Sequence, residues 1–185
     1  HMRAELRKKY GIPDDAFVYG YVGRVNKDKG INELIEAFKI VSEKHDNVFI
    51  TLVGMIDDAN PISEENMNFA SDCDHIIMTG NVPKESVYAH MSMFDVLVHP
   101  TYREGFGKVL QEAMGMKLSI LTTDVPGPSE VVEDGISGIL CRVKDPTDLA
   151  EKMILLYDDD KLRNSISEAG FARANQYFDR PIMLN

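Results

Sequence analysis

Short apolar runs alternate with amphipathic stretches along most of the chain, and this alternation constrains the fold more than any other feature. Phe17 to Gly23 (FVYGYVG), Val48 to Gly54 (VFITLVG), Ile76 to Thr79, Asp95 to His99, Leu118 to Thr122 and Ile139 to Val143 read as strands. Gly30 opens a helical stretch in which Ile31, Leu34, Ile35, Phe38 and Val41 share one stripe. Pro83 suits the first turn of a helix from Lys84 to about Met93. Further helices are predicted from Gly107 to Gly115 and, as a short piece, from Ser129 to Glu133. Asp145-Pro146 places a capping side chain before a first-turn proline, ahead of a stripe of Leu149, Met153 and Leu156. Leu162, Ile166 and Ala169 mark one more helix after the acidic turn Asp158-Asp159-Asp160. Strands that are apolar throughout must be covered on both faces, so the chain is expected to be an α/β fold with a doubly wound parallel sheet. Its crossovers should be right-handed, with ligands beyond the carboxyl ends of the strands.

The 185 residues suit one domain, which is the expected organisation over 1–185. With 44% apolar and 27% charged residues the composition is globular rather than disordered. No apolar run reaches the length of a membrane-spanning helix. The formal net charge of -10 argues against nucleic acid as a partner. Cys73 and Cys141 form no C-x-x-C pair, and a reduced intracellular protein is the reading they favour. His1-Met2 reads as a pair left by cloning and is set aside, so the natural protein is expected to be longer.

Two clusters lie just after strands. In the first, Gly23-Arg24 is followed by Lys27, Lys29 and Gly30: three cations within six positions of an acidic chain. Glycine admits a ligand to the backbone, arginine and lysine pair with phosphate, and the next helix offers free N–H groups. A solvated turn with ordinary lysines is the other reading, and Lys27 suits it best. The second cluster is Glu104-Gly105-Phe106-Gly107-Lys108-Val109-Leu110-Gln111-Glu112. Its glycines make a tight entry to a helix whose Val109, Leu110, Ala113 and Met114 are expected to face the core. Lys108 and Glu112 share another stripe, and Glu104 and Glu112 can line one wall. A carboxylate accepts two hydroxyls at once, which suits a ribose or sugar diol. Alternatively, Glu104 is a dipole-stabilising first-turn residue and Glu112 an exposed partner of Lys108.

The ordered set of landmarks resembles retaining glycosyltransferases of the GT-B fold, family 4 (group 1). Glu104 to Glu112 has the form E-x7-E of that family's signature, and Glu112-Ala113-Met114 its usual E-A-M. Val22-Gly23-Arg24 through Lys29-Gly30 is similar to its donor-phosphate loop, and Asp95 to Pro100 to the strand before the signature. Gly127, Glu130 to Gly135 and Gly138 match the block that follows. Two departures stand out: Gly115-Met116-Lys117 replaces the usual small residue, glycine and proline, with Gly115 expected as the helix stop, and Pro126 and Pro128 flank Gly127.

The resemblance implies the Rossmann-like C-terminal, donor-binding half of a two-domain enzyme, without its N-terminal acceptor domain. The nucleotide-diphosphate sugar would be the donor substrate, with no cofactor and no metal required. Arg24 and Lys29 would contact the diphosphate, and Glu104 the donor sugar. Gly23, Gly105, Phe106, Gly107, Lys108 and Val109 would surround the donor, and Glu112 would hold the ribose. Base identity would depend on backbone near Asn81 to Lys84. The family usually continues past Phe178-Asp179 to cross back to the first domain, so Asn185 is expected to be a cut end. Many relatives build surface polysaccharides or glycolipids, so the expected location is cytoplasmic, peripheral at the inner membrane face, with an acceptor at the membrane surface.

Alternatives from other classes are a GT-B-like sugar-nucleotide epimerase, a non-catalytic nucleotide-binding module and a receiver-like module. The last would put an acidic pocket where Gly23-Arg24 stands. No Walker A motif, calcium-loop spacing or metal spacing among the five histidines is found. His99, at a strand end, is the one histidine that merits a test. Tyr102 and Arg103 suit either a pocket wall or the surface.

Overall fold

The computed structural model describes residues 1–105 and 107–176. In chain order the elements are α1 (Met2–Lys9), β1 (Phe17–Val22), α2 (Ile31–Lys44), β2 (Val48–Val53), α3 (Glu64–Asp72) and β3 (Ile76–Gly80). A 3-10 turn at Lys84–Ser86 leads into α4 (Val87–Met91), β4 (Val96–His99), α5 (Lys108–Gly115), β5 (Ser119–Thr123) and α6 (Pro128–Val131). The described part ends with β6 (Ile139–Cys141), α7 (Pro146–Asp158) and α8 (Asp160–Ala174). Phe106, Phe178, Asp179 and Asn185, named from the sequence, lie outside the described residues.

The expected doubly wound sheet is the one observed. All six strands pair in parallel, in the order β3-β2-β1-β4-β5-β6. The order reverses between β1 and β4, where Tyr19 pairs with Val96 and Gly20 with Leu97. Helices laid on opposite faces diverge there and leave a crevice at the strand ends. On one face α2 and α7 close a core of Leu34, Ile35, Phe38, Val41, Leu149, Met153 and Leu156. On the other, Leu110, Ala113 and Met114 of α5 pack with Met91, Met93 and Phe94. β2 is buried at every position, which is why it reads as an unbroken apolar run.

Two helices lie where no apolar stripe announces them. α1 is mostly polar, and Arg7 is its buried residue. Arg7 donates to the carbonyls of Met93 and Ala16, and with Arg3 it meets Asp95 just before β4, at the opposite end of that strand from His99. α3 starts at Ser63, whose hydroxyl caps the Asn66 N–H at 3.1 Å. That cap was readable; the weak stripe behind it was not.

Several boundaries differ from the sequence reading. The helix expected over Lys84 to Met93 is a 3-10 turn followed by five α-helical residues, and the short helix near Ser129 starts at Pro128. The sixth strand stops at Cys141, because Arg142 N–H turns to the Asp148 carboxylate and Lys144 takes φ 57°. α5 ends at Gly115 as expected, but Gly115 does not supply the left-handed turn that follows. The left-handed residue is Lys117, φ 59°, with Lys117 N–H bonding Met114 C=O and Leu118 N–H bonding Ala113 C=O. Leu118 is spent in that cap, so β5 begins one residue later. Among the described residues no helix is long and apolar enough to cross a membrane.

Candidate active site

The cleft lies in the crevice between the ends of β1 and β4. It holds about 480 Å³ and is lined by Tyr21, Val22, Gly23, Arg24, Asn26, Lys29, His99, Glu104, Lys108, Val109 and Glu112. Seven of the ten residues expected at the site therefore meet there: Gly23, Arg24, Lys29, Glu104, Lys108, Val109 and Glu112. Gly105 and Gly107 flank it in the loop that enters α5, with Gly107 at φ 60° as the residue before the helix. Lys27 is exposed and outside the cleft, in keeping with a solvated lysine. Asp28 pairs only loosely with Arg103, at 4.0 Å between exposed groups. Val109 is a partial correction: the wide apolar stripe placed it in the core, but it is half-buried on the cleft wall.

The first wall is built by the turn after β1. The Tyr21 hydroxyl donates to Arg24 C=O at 2.6 Å, and Asn26 Oδ1 accepts the Lys29 N–H at 3.0 Å. Asn26 Nδ2 also reaches Asp57 at 3.2 Å. This side-chain-capped turn sets the spacing between Arg24 and Lys29. Gly30 then starts α2 at φ 74°, and a Cβ there would sit 1.8 Å from Pro100 C=O. Only glycine lets the cationic turn lie this close to the end of β4.

The second wall is the loop between β4 and α5. The Thr101 hydroxyl donates to Arg103 C=O at 2.7 Å, and the Thr123 hydroxyl to Thr101 C=O at 2.6 Å. Tyr102 leaves the cleft, bonds Glu33 of α2 at 2.8 Å and lies under the Lys144 ammonium. A Cβ on Gly127 would meet Glu104 C=O at 2.3 Å, so that glycine lets the α6 turn support the loop.

The walls meet at Glu104. One oxygen, Oε2, accepts His99 Nε2 at 2.8 Å and lies 3.5 Å from Lys29 Nζ. The His99 bond, with help from Lys29, lowers the Glu104 pKa to about 2 despite partial burial. Glu104 is thus an acceptor at neutral pH and no proton donor. Glu112 lies on the α5 side, close enough to the Tyr88 phenol to raise its pKa.

Sequence reasoning undervalued His99 and missed Tyr21 and Asn26. An asparagine three residues before Lys29 is a readable turn signal; the histidine–glutamate pair depends on where the loop folds back. Asn81 to Pro83 do not line the cleft. They border a second, more apolar hollow of about 640 Å³ beneath α1, with Leu6, Tyr10 and His90.

Comparison with known proteins adds the family. Residues 2–173 match the family described as glycosyl transferases group 1. The capsular polysaccharide biosynthesis glycosyltransferase CapM of Staphylococcus aureus is 36% identical over 181 residues, 97% of this chain and 47% of that protein. The alpha-D-kanosaminyltransferase of Streptomyces kanamyceticus is 30% identical over 166 residues, 90% of this chain and 42% of that protein. The chain thus spans about half the length of these relatives. In structure it is similar to the C-terminal domain of the group 1 protein LpcC from Francisella tularensis. That likeness has TM-score 0.85 at 24% identity and covers 95% of this chain and 92% of that one. It is also similar to Anabaena Alr3699/HepE, solved in complex with UDP-glucose, with TM-score 0.84 at 24% identity, covering 96% and 48%. The structural likenesses establish a shared fold, and the family match together with the CapM identity establishes descent: the chain belongs to the group 1 glycosyl transferases.

Proposed function

We propose that this chain is the donor-binding domain, over 1–185, of a retaining GT-B glycosyltransferase of family 4. The complete protein would transfer a sugar from a nucleotide-diphosphate donor to a hydroxyl acceptor. The observation that carries the reading is one crevice lined by Arg24, Lys29 and Lys108 beside the ionised Glu104 and by Glu112. Breaking the bond from sugar to diphosphate builds negative charge on the leaving oxygen. Arg24 and Lys29, fixed by the Asn26 turn, would stabilise that charge without a metal. The loop entering α5 would add backbone N–H groups. Glu104 would accept hydroxyls of the donor sugar and Glu112 those of the ribose. A carboxylate ionised down to pH 2 is suited to steady an oxocarbenium-like sugar and unsuited to protonate a leaving group.

The acceptor would lie on a further domain facing this cleft. CapM, named for capsular polysaccharide biosynthesis, supports an acceptor in polysaccharide synthesis, and the location proposed for it is the cytoplasmic membrane face. The test is calorimetric titration of the chain with UDP, GDP and ADP, with and without magnesium. UDP comes first because a protein of the same fold was solved with UDP-glucose. Expected is binding of one nucleotide without metal, weakened about tenfold or more by Arg24→Ala and by Glu112→Ala. Binding that ignores both substitutions would overturn the assignment.

A further inference from the structure

His99 is a polar side chain that the proposed chemistry does not use. It ends β4, is 2% exposed, and its ring stacks on Tyr21 with centroids 6.1 Å apart and planes 13° apart. Its carbonyl is tied to β5 by the Thr122 hydroxyl at 2.8 Å. The imidazole is therefore part of the rigid sheet end and not of the loop. Its Nε2 lies 2.8 Å from Glu104 Oε2, while its Nδ1 is buried with no partner among the described residues. An ionised carboxylate only accepts, so Nε2 carries the proton of this bond. Glu104, by contrast, sits on a loop next to exposed Gly105. Among the described residues, the hydrogen bonds to its carboxylate fall on Oε2, which leaves Oε1 for a ligand.

The two partners of Oε2 differ in kind. Lys29 is 3.5 Å away on a long, partly exposed side chain. Once its ammonium meets a phosphate, it is drawn off the carboxylate. His99 has no such freedom.

We propose that His99 is the positioning residue for Glu104, holding one carboxylate oxygen on the cleft wall so that the other accepts hydroxyls of the donor sugar. The proposal rests on the donor-site reading above. It predicts that His99 governs recognition of the sugar and is indifferent to the nucleotide.

The experiment uses the 185-residue chain and two variants, His99→Leu, which removes the donor, and His99→Gln, whose amide restores an N–H near the position of Nε2. Circular dichroism verifies that each folds. Calorimetry compares UDP with UDP-glucose, UDP with UDP-N-acetylglucosamine, and GDP with GDP-mannose. In parallel, carbon NMR follows the Glu104 carboxyl during acid titration. Expected for His99→Leu is loss of roughly tenfold in affinity for the preferred nucleotide sugar, with nucleoside diphosphate affinity within twofold of wild type. His99→Gln recovers most of that loss. The Glu104 carboxyl remains ionised to the lowest pH at which the wild-type fold survives, and titrates higher in His99→Leu. Equal losses for nucleotide and nucleotide sugar, or no loss for either, overturn the proposal. So does a Glu104 titration unchanged by His99→Leu. A wild-type chain that binds no nucleotide overturns the donor reading, and with it the ligand half of this proposal, while the carboxyl titration still judges the hold itself.

Discussion

Glu104 has a pKa of about 2 because His99 donates to it and Lys29 lies beside it, whereas in an unfolded chain it returns to an ordinary value near 4.5. The folded value is the depressed one, so the contribution to stability is fully present above pH 4.5 and lost as pH falls toward 2. Replacing Glu104 with glutamine should flatten the stability profile in that window, measured as denaturant midpoint against pH. Parallel profiles for wild type and variant would show that the pair is not coupled to folding. Arg24, Lys29, Glu104, Lys108 and Glu112 were legible as site chemistry because they form two charged, glycine-containing clusters in the segments after β1 and β4, and because those clusters resemble the family's motifs. Nothing local marked Tyr21, and His99 was marked only by its place at a strand end, without a partner. The His99 contact spans five residues and forms only when the loop after β4 folds back, and the Tyr21 contact forms when the turn after β1 closes on the Arg24 carbonyl.

At the scale of elements, the joints decide more than the regular segments. α5 closes with Lys117 in the left-handed region, φ 59°, a conformation that costs a side-chain-bearing residue about 1 kcal/mol. Lys117 recovers little through its exposed 3.7 Å pair with Glu168 and its position over Phe171. Lys117→Gly should therefore raise the melting temperature by about 2 °C or more in calorimetry. Gly30→Ala should do the reverse. Its Cβ would meet Pro100 C=O at 1.8 Å with φ at 74°, so a loss of about 3 kcal/mol is expected, read as a urea midpoint. The same change displaces Lys29, so nucleotide affinity should fall with it. The sequence showed the strands and most helices but misplaced ends such as that of β6, read to Val143 and observed at Cys141, because an end depends on which partner the chain meets next.

For the whole molecule, two apolar cores on opposite faces of one sheet make the fold self-supporting. The polar α1 is fastened to it by charge. Arg7, 1% exposed, and Arg3 share Asp95, which also accepts the Val18 N–H of β1 at 2.8 Å. Asp95→Ala would strand a buried guanidinium, and a loss of about 3 kcal/mol or more is expected. Hydrogen exchange should show protection falling first across residues 2–9. Were α1 to stay protected, its many backbone bonds through Arg7 would be the stronger tether.

The sequence alone determined the fold class, since strands apolar on both faces have no stable place except inside a doubly covered parallel sheet. It also determined which end of the sheet carries charge, because Gly23-Arg24, Lys29, Glu104 and Glu112 follow strand ends in the chain itself. Only the tertiary structure decided that β1 and β4 are neighbours, and hence that cations after residue 23 and carboxylates after residue 103 line one cleft. It alone put Asn81 to Pro83 in a different hollow and His99 against Glu104. Apolar periodicity is a local property that adjacent residues express together. Strand order and a two-atom contact are set by the packing of the whole chain, which no local pattern encodes.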